Sequence, residues 1–136
     1  ALNWLIAEDE ADIRNLVSMM CRVWGHNPIP FESGGKAWEF LDTVEAGTYK
    51  GPMPEFALMD IRMPGKKGNE VAARIRQVAA LSHIPIVLMT AFTLNDDERA
   101  DMMNNDGVDQ IITKPLPDFT ELHRILHSII SSKAGG

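Results

Sequence analysis

Phe56-Ala57-Leu58-Met59-Asp60-Ile61-Arg62-Met63-Pro64-Gly65-Lys66-Lys67-Gly68 is the stretch that decides the fold. Its four leading apolar residues are too few for a helix, a single carboxylate ends them, and Pro64, Gly65 and Gly68 punctuate the loop that follows. From Asn69 to about Ala80 the pattern becomes that of a helix. A buried strand, a loop and a helix in that order form one βα unit, and similar units recur on both sides.

Toward the N-terminus, Asn3 to Ala7 reads as the first strand. Glu8-Asp9-Glu10 then opens a helix whose apolar positions Ile13, Leu16, Val17, Met20 and Val23 keep 3.6-residue spacing up to Gly25. About His26 to Phe31 is a weaker strand; Pro28 and Pro30 cannot donate to a ladder, which puts it at a sheet edge. Ser33 caps a second helix running roughly to Ala46, with Ala37, Phe40, Leu41 and Val44 inward, and the turn-rich Gly47 to Pro54 leads back to Phe56. Toward the C-terminus, Ile84 to Met89 is a fourth strand, buried by its composition. A fourth helix spans about Asn95 to Asn105 and closes near Gly107, Gln110 to Thr113 is a fifth strand, and Pro117 to Ser131 is the last helix. The reading is α/β: a doubly wound, five-stranded parallel sheet with helices on both faces.

The 136 residues suit a single domain over 1–136, with a core of about 3–131 and residues 132–136 as a linker or tail. At 45% hydrophobic and 24% charged residues the chain is too apolar for disorder. Its net charge of −6 argues against a nucleic-acid backbone as partner, because phosphate contacts need clustered Lys and Arg. No stretch approaches the roughly 18 apolar residues that span a bilayer, so no membrane partner is expected. Cys21, the single cysteine, allows no internal disulfide and suits a cytoplasmic location. A start without Met is what a piece of a longer protein would show.

Open parallel sheets bind ligands beyond the carboxyl ends of their strands. Those positions hold Glu8 and Asp9, Asp60, Thr90 and Ala91, and Lys114-Pro115. Crowded carboxylates raise one another's pKa, so a set that stays ionised needs a counter-charge, and a hard divalent cation with oxygen ligands supplies one. Mg2+ suits one or two carboxylates, waters and a phosphate, and Mn2+ could replace it. With the cation and Lys114 offsetting phosphoryl charge from two sides, Asp60 becomes the candidate nucleophile for an acyl phosphate. Thr90 offers a hydroxyl to a phosphoryl oxygen, a bond that would draw the end of the fourth strand inward. Singly, each residue has a plainer use: Asp9 and Glu10 suit the positive end of a helix, Thr90 a buried strand, Lys114-Pro115 a turn. Their joint placement favours a site.

Other residues read as structural. His123 and His127, four apart on the last helix, could face a metal, but no third ligand is evident. His26 and His83 fall in turns and are expected in solvent, and Met19-Met20 and Met102-Met103 are expected to fill the core.

The runs Ile6-Ala7-Glu8-Asp9-Glu10, Leu58-Met59-Asp60-Ile61-Arg62-Met63-Pro64-Gly65 with Gly68, Met89-Thr90-Ala91, Gly107-Val108-Asp109 and Thr113-Lys114-Pro115-Leu116 stand in that order at strand ends. In this the chain resembles, from about Leu5 to Ile130, the receiver domains of two-component response regulators. The resemblance implies a flavodoxin-like sheet of order 2-1-3-4-5. It implies that Asp60 accepts phosphate from a histidine kinase or histidine phosphotransfer protein. It also implies that Asp9, Asp60 and the backbone carbonyl of Arg62 ligate Mg2+, with Glu8 acting mostly through water. A cis peptide between Lys114 and Pro115 would aim the ammonium at the site. Such a domain is a switch and not a conventional enzyme, although it assists its own phosphorylation and dephosphorylation. The face made by the fourth helix, fifth strand and last helix, about Asn95 to Ser131, is a candidate homodimer surface.

Three positions depart from or qualify the pattern. Ile111 stands where many receivers carry an aromatic switch residue, and Lys66-Lys67 replaces an acidic loop position with positive charge. Arg62 and Phe92, two residues beyond Asp60 and Thr90, flank the path of attacking water in the family and are read as tuning acyl-phosphate lifetime. Among competing functions, a degenerate receiver acting as an unphosphorylated binding module ranks second. A Mg2+-dependent aspartyl phosphohydrolase would need a second Asp where Arg62 stands, and Glu8-Asp9-Glu10 would repel the phosphate of a flavin mononucleotide carrier.

Overall fold

The computed structural model describes residues 1–135; Gly136, the last residue of the expected tail, lies outside them. Alternation of strand side chains separates the interior into two layers. β1 (Asn3–Ala7) sends Leu5 and Ala7 into one layer and Trp4 and Ile6 into the other. β3 (Phe56–Asp60) and β4 (Ile86–Thr90) are buried throughout, which is why their sequences are continuous apolar runs. β2 (Asn27–Phe31) and β5 (Gln110–Thr113) are the edges of a parallel sheet of order β2-β1-β3-β4-β5. The prolines of β2 thus stand where one side of the strand needs no ladder partner.

One face of the sheet is covered by α1 (Ala11–Val23) and α5 (Phe119–Gly135), which contribute Val17, Met20, Cys21, Leu122 and Leu126 to the layer around Trp4 and Phe56. The other carries α2 (Gly34–Glu45) and α3 (Gly68–Gln77), through Ala37, Leu41, Val71, Ala72 and Ile75. α4 (Asp96–Asn104) buries none of its residues completely, and only Met102 packs against that layer. α5 continues through residues 132–135, which the sequence sets apart as a tail. No helix among the described residues is long and apolar enough to cross a membrane.

Two further boundaries, at the α3–β4 connection, differ from the sequence reading. α3 stops at Gln77 instead of about Ala80, and β4 begins at Ile86 instead of Ile84. Arg76 accounts for both: its guanidinium donates to the carbonyls of Ser82, Ile84 and Gly107 and to Asp109 Oδ2, so the intervening turns have a partner that no helix or strand supplies.

Close backbone approaches fix the loop after β3. A Cβ on Gly68 would lie 2.2 Å from the carbonyl oxygen of Asp60, and one on Gly34 would lie 1.8 Å from that of Lys66. Only glycine lets the start of α3 close over Asp60 and the start of α2 press on the 64–66 turn. The Gly35 amide also donates to the Pro64 carbonyl, at 3.2 Å.

Candidate phosphoryl and metal site

Parallel strands bring their carboxyl ends to one edge, where Glu8, Asp9, Asp60, Thr90 and Lys114 converge. Asp60 ends β3 with 7% of its surface exposed, Glu8 follows β1 fully buried, and Asp9 beside it is exposed. Lys114 Nζ reaches across from the end of β5, donating to Glu8 Oε1 at 2.6 Å and lying 3.4 Å from Asp60 Oδ2. The Lys114–Pro115 peptide is cis. At the end of β4 the buried Thr90 Oγ1 accepts a hydrogen bond from the Phe92 amide at 3.0 Å, which leaves its own proton free to donate.

Burial pushes the Glu8 carboxyl up to about 7. The hydrogen bond from Lys114 opposes that rise, and the charge of Asp60 adds to it. For Lys114, burial works against the ammonium, but the Glu8 hydrogen bond and Asp60 charge outweigh it and hold the pKa above its usual value. The one ammonium therefore serves two of the three carboxyl groups, Glu8 and Asp60, and Asp9 makes no ion pair among the described residues. One carboxylate oxygen each from Glu8, Asp9 and Asp60 lies within 4.8 Å of the others. That cluster of hard oxygen donors, short of positive charge, fits a small divalent cation.

The response regulator receiver domain family matches residues 4–127, nearly the whole chain. The chain belongs to that family. Among relatives, the probable methanogenesis regulatory protein FilR2 of Methanothrix harundinacea is 33% identical over 71% of this chain and 59% of its own length. The phosphate regulon transcriptional regulatory protein PhoB of Escherichia coli is 29% identical over 82% of this chain and 44% of its own length. The receiver thus spans about half the length of these relatives. Among solved structures, the receiver domain of a Pseudomonas aeruginosa sensor histidine kinase is similar with a TM-score of 0.76 and 25% identity, covering 96% of this chain and 98% of that one. That structure has a magnesium ion coordinated in its active-site cleft. Vibrio cholerae chemotaxis protein CheY4 shares the fold, with a TM-score of 0.78 and 19% identity, over 94% of this chain and 98% of that one. Receiver domains are signalling modules that work with histidine kinases or phosphotransfer proteins, and this chain is one by family.

In this receiver, Arg62 and Phe92 meet: the Arg62 guanidinium carbon lies 3.9 Å from the centre of the Phe92 ring, and that ring is 50% exposed. Ile111 is buried against the layer of α2 and α3, so the position of the usual aromatic switch holds a fixed core residue. Lys66 Nζ sits 4.4 Å from the Trp38 ring centre, which ties the basic loop to α2.

Several expectations are corrected. Of the apolar positions that keep helical spacing in α1, Leu16 and Val23 lie largely outside the core; with Met19 they are 46%, 66% and 54% exposed. α1 carries two apolar stripes, and only the one holding Val17, Met20 and Cys21 meets the sheet. The second stripe lines an apolar groove of about 530 Å³ together with Ile13, Met20 and residues 114–119, beginning beside Lys114. The surplus of apolar positions is visible in the sequence, but which of them the sheet covers is not. Each Met pair splits between core and surface, with Met19 and Met103 exposed. His26 is half-buried and bonded to His127 and does not stand free in solvent, while His83 is exposed as expected.

Proposed function

We propose that this receiver accepts a phosphoryl group on Asp60 from a phosphohistidine of a histidine kinase or phosphotransfer protein, and thereby switches its signalling surface. The observation that carries the reading is the Asp60 carboxylate at the end of β3, 3.4 Å from Lys114 Nζ and clustered with the carboxylates of Glu8 and Asp9. Asp9, Asp60 and the carbonyl of Arg62 would hold Mg2+, with Glu8 at its margin; the ion when bound offsets charge on the phosphoryl oxygens.

An Asp60 oxygen attacks phosphorus, the P–N bond to the donor imidazole breaks, and the imidazole leaves with the electron pair and takes up a proton from solvent. Lys114, already placed between Glu8 and Asp60, pairs with a phosphoryl oxygen. Thr90 donates its free hydroxyl proton to another. Because Thr90 Oγ1 also holds the Phe92 amide, movement of that hydroxyl carries the 91–95 loop with it toward α4. Ile111, already buried, leaves the readout to this loop and to α4, which has little packing to resist it.

The groove between α1 and residues 114–119 opens next to Lys114, which supports its use by the donor protein. A partner seated there covers Leu16, Met19, Val23 and Phe119 and brings its histidine to the same edge of the sheet. A homodimer through α4, β5 and α5 is proposed with less support, because the exposed acids Asp96, Asp97, Glu98 and Asp101 of α4 need positive partners from a second copy.

Incubation with Mg2+ and acetyl phosphate, followed by intact-mass measurement, tests the acceptor. One added phosphoryl group that is lost in Asp60→Ala is expected. An unmodified protein, or a modified Asp60→Ala, would overturn the reading in favour of an unphosphorylated binding module.

A further inference from the structure

Away from the phosphoryl site, α5 and the start of β2 are joined by a pair of imidazoles. His26 Nε2 and His127 Nε2 lie 2.9 Å apart, half-buried against the rings of Trp4 and Trp24. Their other nitrogens are committed. The Leu2 amide donates to His26 Nδ1 at 3.0 Å, so that atom must present a lone pair. His127 Nδ1 lies 2.8 Å from the carbonyl oxygen of His123, which can only accept, so that atom carries a proton.

Both neutral tautomers follow. His26 holds its proton on Nε2 and donates to the bare Nε2 of His127. A cation bound between the two Nε2 atoms would drive the His26 proton onto Nδ1, against the Leu2 amide, so the arrangement suits a shared proton and not a metal. An additional proton has no place either. On His26 Nδ1 it meets the Leu2 N–H, and on His127 Nε2 it meets the N–H of His26. One of the three bonds must then break.

We infer that His26 and His127 form an acid-sensitive latch that pins α5 to the α1–β2 turn while both rings are neutral and releases it when the pair takes up a proton. No carboxylate among the described residues pairs with either ring to hold such a charge. The groups acting on His26 are His127 and His123 from α5, both of them bases. Trp24, just past α1, and Trp4 from β1, itself packed on Phe56 from β3, complete the packing without charge. Burial, followed by those bases, holds the His26 pKa below its ordinary value of 6.5. The sign is therefore fixed: the folded chain prefers neutral His26, the latch is whole above about pH 6.5, and its contribution is lost as pH falls through the lower folded pKa.

Release would be felt at the donor groove, since Trp24 packs on Phe119, one of the groove's walls, with ring centres 5.2 Å apart. The latch itself does not depend on phosphorylation.

Nitrogen NMR on the wild-type chain at about pH 7.5 reads the tautomers directly. The expected result is Nε2–H for His26 and Nδ1–H for His127. Finding His127 as Nε2–H, or either ring protonated, overturns the latch. Urea unfolding without Mg2+ at about pH 7.5 and pH 5.0, for wild type, His26→Asn and His127→Gln, reads its release. Wild type should be more resistant at pH 7.5, and its unfolding constant should rise toward those of the variants by about tenfold per unit by which the His26 pKa is depressed. An advantage kept intact at pH 5.0 overturns it equally. The tautomer measurement decides the case even if a variant does not fold.

Discussion

Glu8 is the residue at which site chemistry and folding are in tension. A carboxyl with a pKa near 7 when folded, above its reference 4.5, binds protons more readily in the folded chain. Its contribution to stability is therefore present below about pH 4.5 and is lost as pH rises through 7. Without Mg2+, Glu8→Gln should be more stable than wild type at pH 8, by on the order of 1–3 kcal/mol, with the difference much smaller at pH 5. Urea titrations at the two values check this, and a Gln variant that is weaker at pH 8 would mean that the Lys114 pairing outweighs the burial. At the same scale, we propose that Arg62 and Phe92 act on the lifetime of the phosphorylated state. In that proposal their stacked pair would shield Asp60 from water, and an exposed cation–π contact is worth about 0.5–1 kcal/mol. Arg62→Ala and Phe92→Ala should each speed loss of phosphate by about two- to fivefold, followed by intact mass after removal of the phosphodonor. Unchanged rates would show that the pair does not shield the site.

At the scale of elements, the parallel sheet and the convergence of its strand ends were legible from the five-fold alternation of apolar run and helix, while the order of strands was legible only through the family resemblance. The strand-end positions 8, 9, 60, 90 and 114 follow from topology once the runs are placed. What could not be read is the orientation of surplus apolar residues. Leu16, Met19 and Val23 continue a helical period that the core also uses, and only packing decides which stripe the sheet covers. The early end of α3 was hidden in the same way, since Arg76 acts on three carbonyls from two separate segments, the α3–β4 connection and the turn at Gly107. The partnering of His26 with His127 spans 101 residues and leaves no local signal. The exposed stripe of α1 carries its own prediction. Leu16→Glu and Val23→Glu should change stability by no more than about 0.5 kcal/mol, because both side chains are already in solvent. Phosphoryl transfer from a donor protein should slow by roughly tenfold or more while labelling by acetyl phosphate stays constant, since only the protein donor needs the groove. Equal loss with both donors would place the effect at Asp60 and remove the groove from the argument.

For the whole molecule, the acidic site is a stored repulsion that one cation can relieve. The chain carries a net charge of −6, and three of its carboxyl groups are gathered within one cluster served by a single ammonium. An ion that binds the folded chain and not the unfolded one stabilises it by mass action, by about 2.7 kcal/mol at a hundred times its dissociation constant. For a domain of this length that corresponds to a rise in melting temperature of roughly 8–12 °C. Thermal unfolding with increasing Mg2+ should show this rise in wild type and lose most of it in Asp9→Asn and Asp60→Asn, whose carboxylates would contact the ion. Thr90→Val, which removes a hydroxyl meant for phosphate and not for the ion, should keep it. Glu8→Gln should keep part of it, because Glu8 is already engaged by Lys114. The loss in Asp9→Asn carries the most weight: Asp9 is exposed and makes no ion pair among the described residues, so its removal disturbs little except a cation. A melting temperature that climbs equally in wild type and Asp9→Asn would assign the effect to general ionic screening and take the cation out of the site.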